Sequence, residues 1–279
     1  MEILEIRKEI IIDLRDQIPE LVDKFNHFIL KKLPSKKNFV LNIVFNQKTD
    51  RFPKEFIIKV FRTDKSKNEY YTLNNLTSQE IKLPKILFFK EPYLFLKKIK
   101  GVNLCDFIND KLRNVVSIDD LDPESREGIF EGLNKLAAWL AQLHNTNIVD
   151  ASDDSEIIVL NKGDTRLRDF IYNIDKNKIS GVDFEDSYNG NHLDDIAWIC
   201  CSLLDTNPGI FELDNPKLKI DLINFFLQSY YKVNTNFHFD YNYFAGQLIE
   251  NLNLVMRRRN INLTLDKAYF IEDISKELL

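Results

Sequence analysis

The sequence predicts an α+β fold with a small β-rich N-terminal lobe and a larger, mainly helical C-terminal lobe. Before Gly101, short apolar segments alternate with polar turns, which is typical of a mostly antiparallel sheet with helical additions. After Gly101, apolar residues recur at three- and four-residue spacing, which indicates helices. The 279 residues, 44% of them hydrophobic, suffice for two lobes with a packed core. We place the lobes at 1–96 and 97–279.

The N-terminal lobe begins with a predicted helix over 10–32, which Pro19 would kink or break into two helices. Polar turns then separate β-rich segments, and one short helix lies among them. The expected strands are 38–45, 56–61, 86–89 and 93–96, and the expected helix is 65–76.

The C-terminal lobe shows stronger helical signals. Asp122-Pro123 is typical of a helix start, and the apolar period after it continues to His144. His144 itself is interpreted as a packed, hydrogen-bonded residue rather than a catalyst. Two strand-like segments, 157–160 and 179–182, flank a polar, acidic loop. Further helical segments are expected from 103, and over 195–204, 218–233, 241–258 and 265–278.

Composition excludes several classes of function. The net charge is −5, and the basic residues form no long run, so we expect no nucleic-acid partner. No apolar stretch approaches the ~18 residues of a membrane span, and the first residues lack the apolar core of a signal peptide. Three cysteines without a Cys-x-x-Cys motif favour a reduced, cytoplasmic protein.

The glycines and histidines exclude further motifs. The first of 8 glycines is Gly101, and neither a Walker loop nor a dinucleotide fingerprint follows it. The four histidines are scattered, and the sequence has no Gly-x-Ser-x-Gly elbow. Any nucleotide must therefore be bound without a glycine-rich loop.

The most informative segment is 160–197, where acidic side chains recur at three places along the chain. Asp164 and Asp169 lie in a polar loop, whereas Asp183 and Glu185 follow the apolar run 179–182. Asp195 begins a further apolar segment. Carboxylates at a strand end beside an acidic loop can hold a divalent ion and accept a proton, as phosphoryl transfer requires. The alternative is that each is a solvated or capping residue, with Asp194 or Asp195 as a helix N-cap.

Three basic segments have two interpretations each. Lys59 lies within an apolar strand and either faces solvent from an edge strand or pairs with Glu69 to contact a nucleotide phosphate. The stretch containing Lys97 and Ile99 is either an ordinary connector or a hinge whose backbone meets a purine. Arg257-Arg258-Arg259 is explained by the helix dipole and solvation, with contact to an anionic substrate as the alternative.

Together these motifs resemble the aminoglycoside phosphotransferase-like superfamily, the small-molecule kinases related to choline kinase and to protein kinases. The resemblance covers roughly residues 30–205. Lys162-Gly163-Asp164, four residues and then Asp169 resemble the family's His-Gly-Asp-x4-Asn. Val182-Asp183-Phe184-Glu185 and Asp194-Asp195-Ile196-Ala197 resemble its metal motif. Lys59, Glu69, the stretch 96–101 and Leu140-Ala141-Gln142-Leu143-His144 resemble its strand lysine, helix glutamate, hinge and the helix end before its catalytic segment.

The resemblance implies a bilobal protein-kinase-like fold and a phosphotransferase with an alcohol group as acceptor. ATP or GTP would donate the γ-phosphoryl group with Mg²⁺, and the partner would be a small hydroxylated metabolite or an aminoglycoside-like molecule. Asp164 would be the catalytic residue, with Asp183, Asp169 and Glu185 at the metal. Asp195 would brace the catalytic loop. Lys59, held by Glu69, would contact the nucleotide phosphates. The backbone of Lys97 and Ile99 would contact the purine.

Two other classes of function stay open. The family histidine is Lys162 here and the family asparagine is Asp169, which motivates a pseudokinase that binds nucleotide or acts as a scaffold. A protein Ser/Thr kinase is the second alternative. Against it, Gly163 occupies the position of the arginine that commonly precedes the catalytic aspartate, and the interval from Asp183 to Asp195 is short for a peptide-docking segment.

Overall fold

The structure is a computed structural model that describes residues 3–22, 28–35, 37–151, 157–207, 209–210, 213, 216–261 and 269–274. The chain divides into two compact units. Unit 1 comprises Met1–Ser78 and Leu83–Ile99, and unit 2 comprises Gln79–Lys82 and Lys100–Leu279. No helix among the described residues is long and apolar enough to cross a membrane.

Unit 1 is built on one antiparallel sheet of five strands in the order β1-β2-β3-β5-β4. Buried phenylalanines from neighbouring strands and the β2–β3 loop form its aromatic core, as in the stacked pair Phe56 and Phe95 at 5.7 Å. This sheet confirms the predicted antiparallel N-terminal region. The elements of unit 1 are α1 (Ile3–Leu14), β1 (Phe28–Leu33), β2 (Phe39–Phe45), β3 (Glu55–Val60), α2 (Ser66–Leu76), β4 (Ile86–Lys90) and β5 (Tyr93–Lys97).

The helix predicted over 10–32 is wrong in its extent. The helix α1 ends at Leu14, a 3-10 turn covers Pro19–Leu21, and the chain has entered β1 at Phe28. Residues 23–27 lie outside the described part. The apolar spacing across 10–32 is compatible with a helix, but β1 pairs with β2 in register from Phe28↔Phe45 to Leu33↔Val40. Tertiary pairing therefore overrides the local helical period.

Unit 2 is mainly helical. The helix α4 begins after the N-cap Asp122, whose side chain accepts a hydrogen bond from the Ser125 N–H, as predicted. The helix α4 packs on α6, and α5 packs on α7. The helices are α3 (Leu104–Lys111), α4 (Pro123–Thr146), α5 (His192–Asp205), α6 (Lys217–Val233) and α7 (Tyr241–Arg258). Of the predicted terminal helix 265–278, only 269–274 is described, and it contains a 3-10 helix at Tyr269–Asp273.

Two small antiparallel sheets hold the loops of unit 2, in the orders β10-β9-β6 and β11-β8-β7. The expected strands at 157–160 and 179–182 are observed as β8 and β10. The other four strands are too short or too polar for a periodic signal. The strands are β6 (Val102–Asn103), β7 (Ile148–Asp150), β8 (Ile158–Asn161), β9 (Phe170–Asn173), β10 (Lys178–Gly181) and β11 (Tyr188–Asn191).

The start of α5 corrects one interpretation of the acidic segment. The helix begins at His192, and its N-cap is Asn191, whose side chain accepts a hydrogen bond from the Leu193 N–H at 2.9 Å. Neither Asp194 nor Asp195 is the cap. Both residues lie in the first turn of α5. Their carboxylates do not cap the helix and instead contact other elements of unit 2.

Candidate active site

Lys59 and Glu69 form a buried ion pair within unit 1. The strand β3 lies between β2 and β5, so the edge-strand interpretation of Lys59 is wrong. Its ammonium nitrogen lies 2.5 Å from Glu69 Oε2, and the two side chains are only 8% and 1% exposed. Burial of either charge alone would be costly, so the pair fixes both side chains.

Lys97 and Ile99 lie at the end of unit 1. The N–H of Lys97 donates to the carbonyl of Lys85 at 2.8 Å, so this donor is not available to a purine. Ile99 follows the end of β5 and is half-buried. The purine contact expected of this stretch stays a prediction, and it would have to use other backbone groups.

In unit 2, the carboxylate of Asp195 holds the loop that carries Asp164. Asp195 is 1% exposed and accepts hydrogen bonds from the backbone N–H groups of Lys162 at 2.7 Å and Gly163 at 3.0 Å. The Thr165 hydroxyl donates to the same carboxylate. Burial alone would raise the pKa of Asp195, but the His144 contact and these donors bring it below its ordinary value. The carboxylate therefore stays ionised and fixes the two residues before Asp164 and the one after it.

His144 supports this brace from behind, and α4 and α6 position it. The carboxylate of Asp195 cannot donate, so Nε2 of His144 carries the hydrogen in their 3.3 Å contact. Nδ1 of His144 lies 2.7 Å from the hydroxyl of Tyr230, and burial raises the pKa of Tyr230, which keeps that hydroxyl a donor. His144 is 0% exposed and is a packed residue, as interpreted from the sequence.

The backbone of the loop has an unusual conformation at two successive residues. Gly163 has φ 74° and Asp164 has φ 44°. A Cβ at Gly163 would collide with the carbonyl oxygen of Asp186, so only glycine fits there. Left-handed conformations of non-glycine residues are costly and concentrate at functional sites, and Asp is one of the residues that tolerates them best.

Two arginines flank the Asp164 carboxylate. Arg166 donates through Nη2 to Oδ2 of Asp164. Arg258, at the end of α7, places Nη1 3.8 Å from Oδ1 and stacks its guanidinium 5.9 Å from the ring centre of Trp198. Two cations therefore face one carboxylate at this point of unit 2.

Lys162 and Asp169 form a second buried ion pair. The ammonium of Lys162 lies 3.4 Å from Asp169 Oδ2 and donates to the carbonyl of Asp183 at 2.9 Å. The side chains of Lys162 and Asp169 are 1% and 10% exposed. Burial raises the pKa of Asp169 and nearby Asp183 raises it further, whereas Lys162 and Arg166 lower it. Lys162 thus supplies the positive charge that a carboxylate at position 169 needs.

Asp183 and Glu185 supply oxygen ligands after β10. Asp183 has φ 67°, Glu185 is 3% exposed, and one carboxylate oxygen from each lies within 4.8 Å of the other. Hard divalent cations prefer carboxylate oxygens. The charge of Asp183 raises the pKa of Asp169, but of the three acidic side chains expected at a metal the structure places only Asp183 and Glu185 at this short distance.

Three features of the site were not predicted from the sequence: Arg166, Arg258 and the Lys162–Asp169 pair. A signal existed for the pair, because two departures from one motif introduce opposite charges seven residues apart. Arg166 and Arg258 carried no such signal. The position of Arg258 beside Asp164 depends on how α7 packs on α5, which the local sequence does not specify.

No family model and no curated protein matches this sequence. Solved structures do match it. An ethanolamine kinase from Plasmodium vivax is 12% identical with a TM-score of 0.59, covering 93% of this chain and 83% of its own. The streptomycin–ATP–APH(2")-IIa ternary complex is 16% identical with a TM-score of 0.55, covering 97% and 95%.

A third similar structure is an amicoumacin kinase bound to AMP-PNP and Ca²⁺, which is 13% identical with a TM-score of 0.50 and covers 90% of this chain and 85% of its own. Similarity at this level of identity establishes a common fold. The α+β, kinase-like fold predicted from the sequence is therefore confirmed, and the protein has the fold of the ethanolamine kinases and aminoglycoside phosphotransferases.

Proposed function

We propose that this protein is a small-molecule kinase that transfers the γ-phosphoryl group of ATP or GTP to a hydroxyl group. The observation that carries the proposal is the loop of unit 2, where the ionised Asp195 holds the backbone around Asp164. A fixed carboxylate next to a set of metal-binding carboxylates is what phosphoryl transfer needs from a protein, because the chemistry depends on positioning and charge.

Asp164 would orient the acceptor hydroxyl and accept its proton. The hydroxyl oxygen forms a bond to the γ-phosphorus, the bond from that phosphorus to the bridging oxygen breaks, and the nucleoside diphosphate leaves. Arg166 supports this role because a guanidinium on Oδ2 stabilises the ionised carboxylate and restricts its rotation.

Asp183, Glu185 and Asp169 would hold the divalent cation. The donor set fits such an ion, because it consists of carboxylate oxygens and one pair already lies within 4.8 Å. When bound, Mg²⁺ would neutralise charge on the nucleotide phosphates. Lys162 supports the site by compensating the charge of Asp169. Within unit 1, Lys59, held by Glu69, would contribute a positive charge to a nucleotide phosphate.

The name of one similar structure includes ATP, and that of another includes AMP-PNP with Ca²⁺. These names support a nucleotide and a divalent ion as cofactors here. They also support a small-molecule acceptor, which we propose in place of a protein substrate. We propose a cytoplasmic location on the basis of the cysteine usage alone.

A thermal melt with Mg²⁺-ATP tests the nucleotide site. Saturation at about 100 times the dissociation constant should stabilise the native state by roughly 2.7 kcal/mol. The shift should require Mg²⁺ and should be lost in Asp183→Ala, whereas Asp175→Ala, an exposed aspartate in the β9–β10 turn, should keep it. The absence of any shift with ATP or GTP would refute the kinase proposal.

A non-catalytic nucleotide-binding module is the second candidate, favoured by the two arginines that face Asp164. Turnover separates the two functions. ADP release that needs an acceptor and falls about 10²- to 10⁴-fold in Asp164→Asn, at unchanged ATP affinity, supports the kinase. Nucleotide binding without acceptor-dependent turnover would support the module instead.

A further inference from the structure

More than one arginine contacts the carboxylate of Asp164. Arg166 and Arg258 face its single carboxylate. The next arginine along the chain, Arg259, is engaged elsewhere, because Nη2 lies 2.7 Å from Asp205 Oδ1. Arg259 and Asp205 therefore balance each other. Arg166 also acts on the carboxylate of Asp169, so Arg258, 3.8 Å from Asp164, is the arginine of this group with the loosest carboxylate contact.

Each of the two arginines keeps capacity for a ligand. Arg258 is 41% exposed at the end of α7. Nε of Arg166 is buried and has no hydrogen-bond partner among the described residues. A guanidinium has five N–H donors in a planar fork that suits carboxylate and phosphate groups. Some N–H donors of these two guanidinium groups are therefore not used in hydrogen bonds with the described residues, although they lie next to a candidate catalytic residue.

We propose that the acceptor of this kinase carries an anionic group, a carboxylate or a phosphate, which Arg258 and Arg166 bind beside Asp164. The inference rests on the proposed function. If Asp164 accepts the proton of the acceptor's hydroxyl group, side chains that contact Asp164 must lie next to the bound acceptor molecule. A cationic acceptor, such as the amino alcohol in the name of the ethanolamine kinase, would meet two like charges at this point.

Arg258 thereby exchanges partners when the acceptor binds. Its 3.8 Å contact with Asp164 is longer than a hydrogen bond, so an anionic group can compete for the guanidinium without breaking a tight pair. Trp198 supports the guanidinium plane from one side. The arginine run that the helix dipole explained in the sequence therefore includes one residue with a specificity role.

Two matched series of hydroxylated probes test the proposal. The three-carbon series is glycerol, glycerate, glycerol 3-phosphate and, as the cation, 3-amino-1,2-propanediol. The six-carbon series is glucose, gluconate, glucose 6-phosphate and glucosamine. At least one anionic member should increase ADP release and raise the melting temperature measured with Mg²⁺-AMP-PNP. Both effects should be larger than those of the neutral and cationic members. Comparison of carboxylate with phosphate members identifies the group.

The variant Arg258→Gln should raise the KM of the responsive probe about 10- to 100-fold, the loss expected for one charge-assisted contact. The KM of ATP should not change. Arg257→Gln is the matched control, since Arg257 is exposed on the same helix end and forms no ion pair with the described residues. Arg258→Lys should give an intermediate KM because it keeps the charge without the fork.

Several results would overturn the proposal. These are a response only to cationic or neutral probes, no response to any anionic probe, a rise in the KM of ATP in Arg258→Gln, or faster turnover of every acceptor in that variant. Failure of the kinase proposal itself looks different. In that case either the Mg²⁺-ATP shift is missing before any acceptor is added, or the shift is present and no probe of either series, whatever its charge, gives ADP release.

Discussion

Each unit contains a buried lysine–carboxylate pair, and the two pairs differ in how they relate to the family pattern. Lys59 and Glu69, 2.5 Å apart, occupy positions where the resemblance expects a lysine and a glutamate. Lys162 and Asp169, 3.4 Å apart, occupy positions where it expects histidine and asparagine. The first pair follows the pattern, and the second replaces two neutral side chains with two charges that compensate each other. Departures that look like separate defects in the sequence are one coupled change in the structure.

The largest expected effect comes from breaking the second pair. Lys162→Met should lower the free energy of unfolding by about 3–5 kcal/mol, because it leaves the Asp169 carboxylate buried without its partner. Asp169→Asn should also destabilise, since it leaves a buried ammonium with the Asp183 carbonyl as acceptor. Urea unfolding of each variant measures the change.

The double variant Lys162→Met/Asp169→Asn completes this cycle and is its control. With both charges removed, stability should return to within about 1–2 kcal/mol of the natural protein, because a neutral replacement of a buried pair is often tolerated. The cycle Lys59→Met with Glu69→Gln gives the corresponding coupling in unit 1. Simple additivity of the two single changes in unit 2 would contradict a compensated pair.

The next effect separates the pairs by function. Lys59→Met should remove most of the roughly 2.7 kcal/mol stabilisation that saturating Mg²⁺-ATP provides, because it deletes a charge-assisted contact worth about 1.5–3 kcal/mol. The double variant in unit 2 should keep most of that stabilisation, since asparagine at 169 restores the family's metal ligand. Thermal melts with and without Mg²⁺-ATP make the comparison. Equal losses in both variants would mean that the pairs do not differ in role.

Part of the fold and part of the candidate site could be predicted from the sequence. The strands β2 to β5 of unit 1 and the helix beginning after Asp122 follow from local patterns in the sequence. The solvent-facing alternative for Lys59 could be rejected only when β3 was found inside the sheet. The helical period across 10–32 could not reveal that β2 recruits residues 28–33 into a strand.

The arginines beside Asp164 could not be predicted from the sequence, and the physical reason is different. Arg258 belongs to α7, whose apolar face specifies that it packs but not what its last turn contacts. Tyr230 likewise reaches His144 only because α6 packs on α4. Local propensity predicts an element, whereas the chemistry at its end depends on crossing geometry between elements. Site residues carried by ordered motifs were therefore predictable, and those carried by helix packing were not.

The smallest expected effect is an acid dependence that belongs to neither pair. Burial lowers the pKa of His192 to about 3, with smaller contributions from His144 and His238. The unfolded chain takes up this proton near pH 6.5 and the folded chain does not, so the unfolded state binds more protons below that pH. Stability should therefore fall as the pH drops below 6.5, by up to about 1.4 kcal/mol per pH unit.

The double variant Lys162→Met/Asp169→Asn is the background in which to measure this slope by urea unfolding between pH 6.5 and 5. The raised pKa of Asp169 acts in the opposite direction, because a folded state that holds its proton more tightly gains stability on acidification, and the variant removes it. His192→Gln should flatten the slope, whereas His238→Gln, at an exposed position, should retain it. If the slope survived in His192→Gln, the acid sensitivity would have to come from carboxylates whose pKa is lowered in the folded state, such as Asp195.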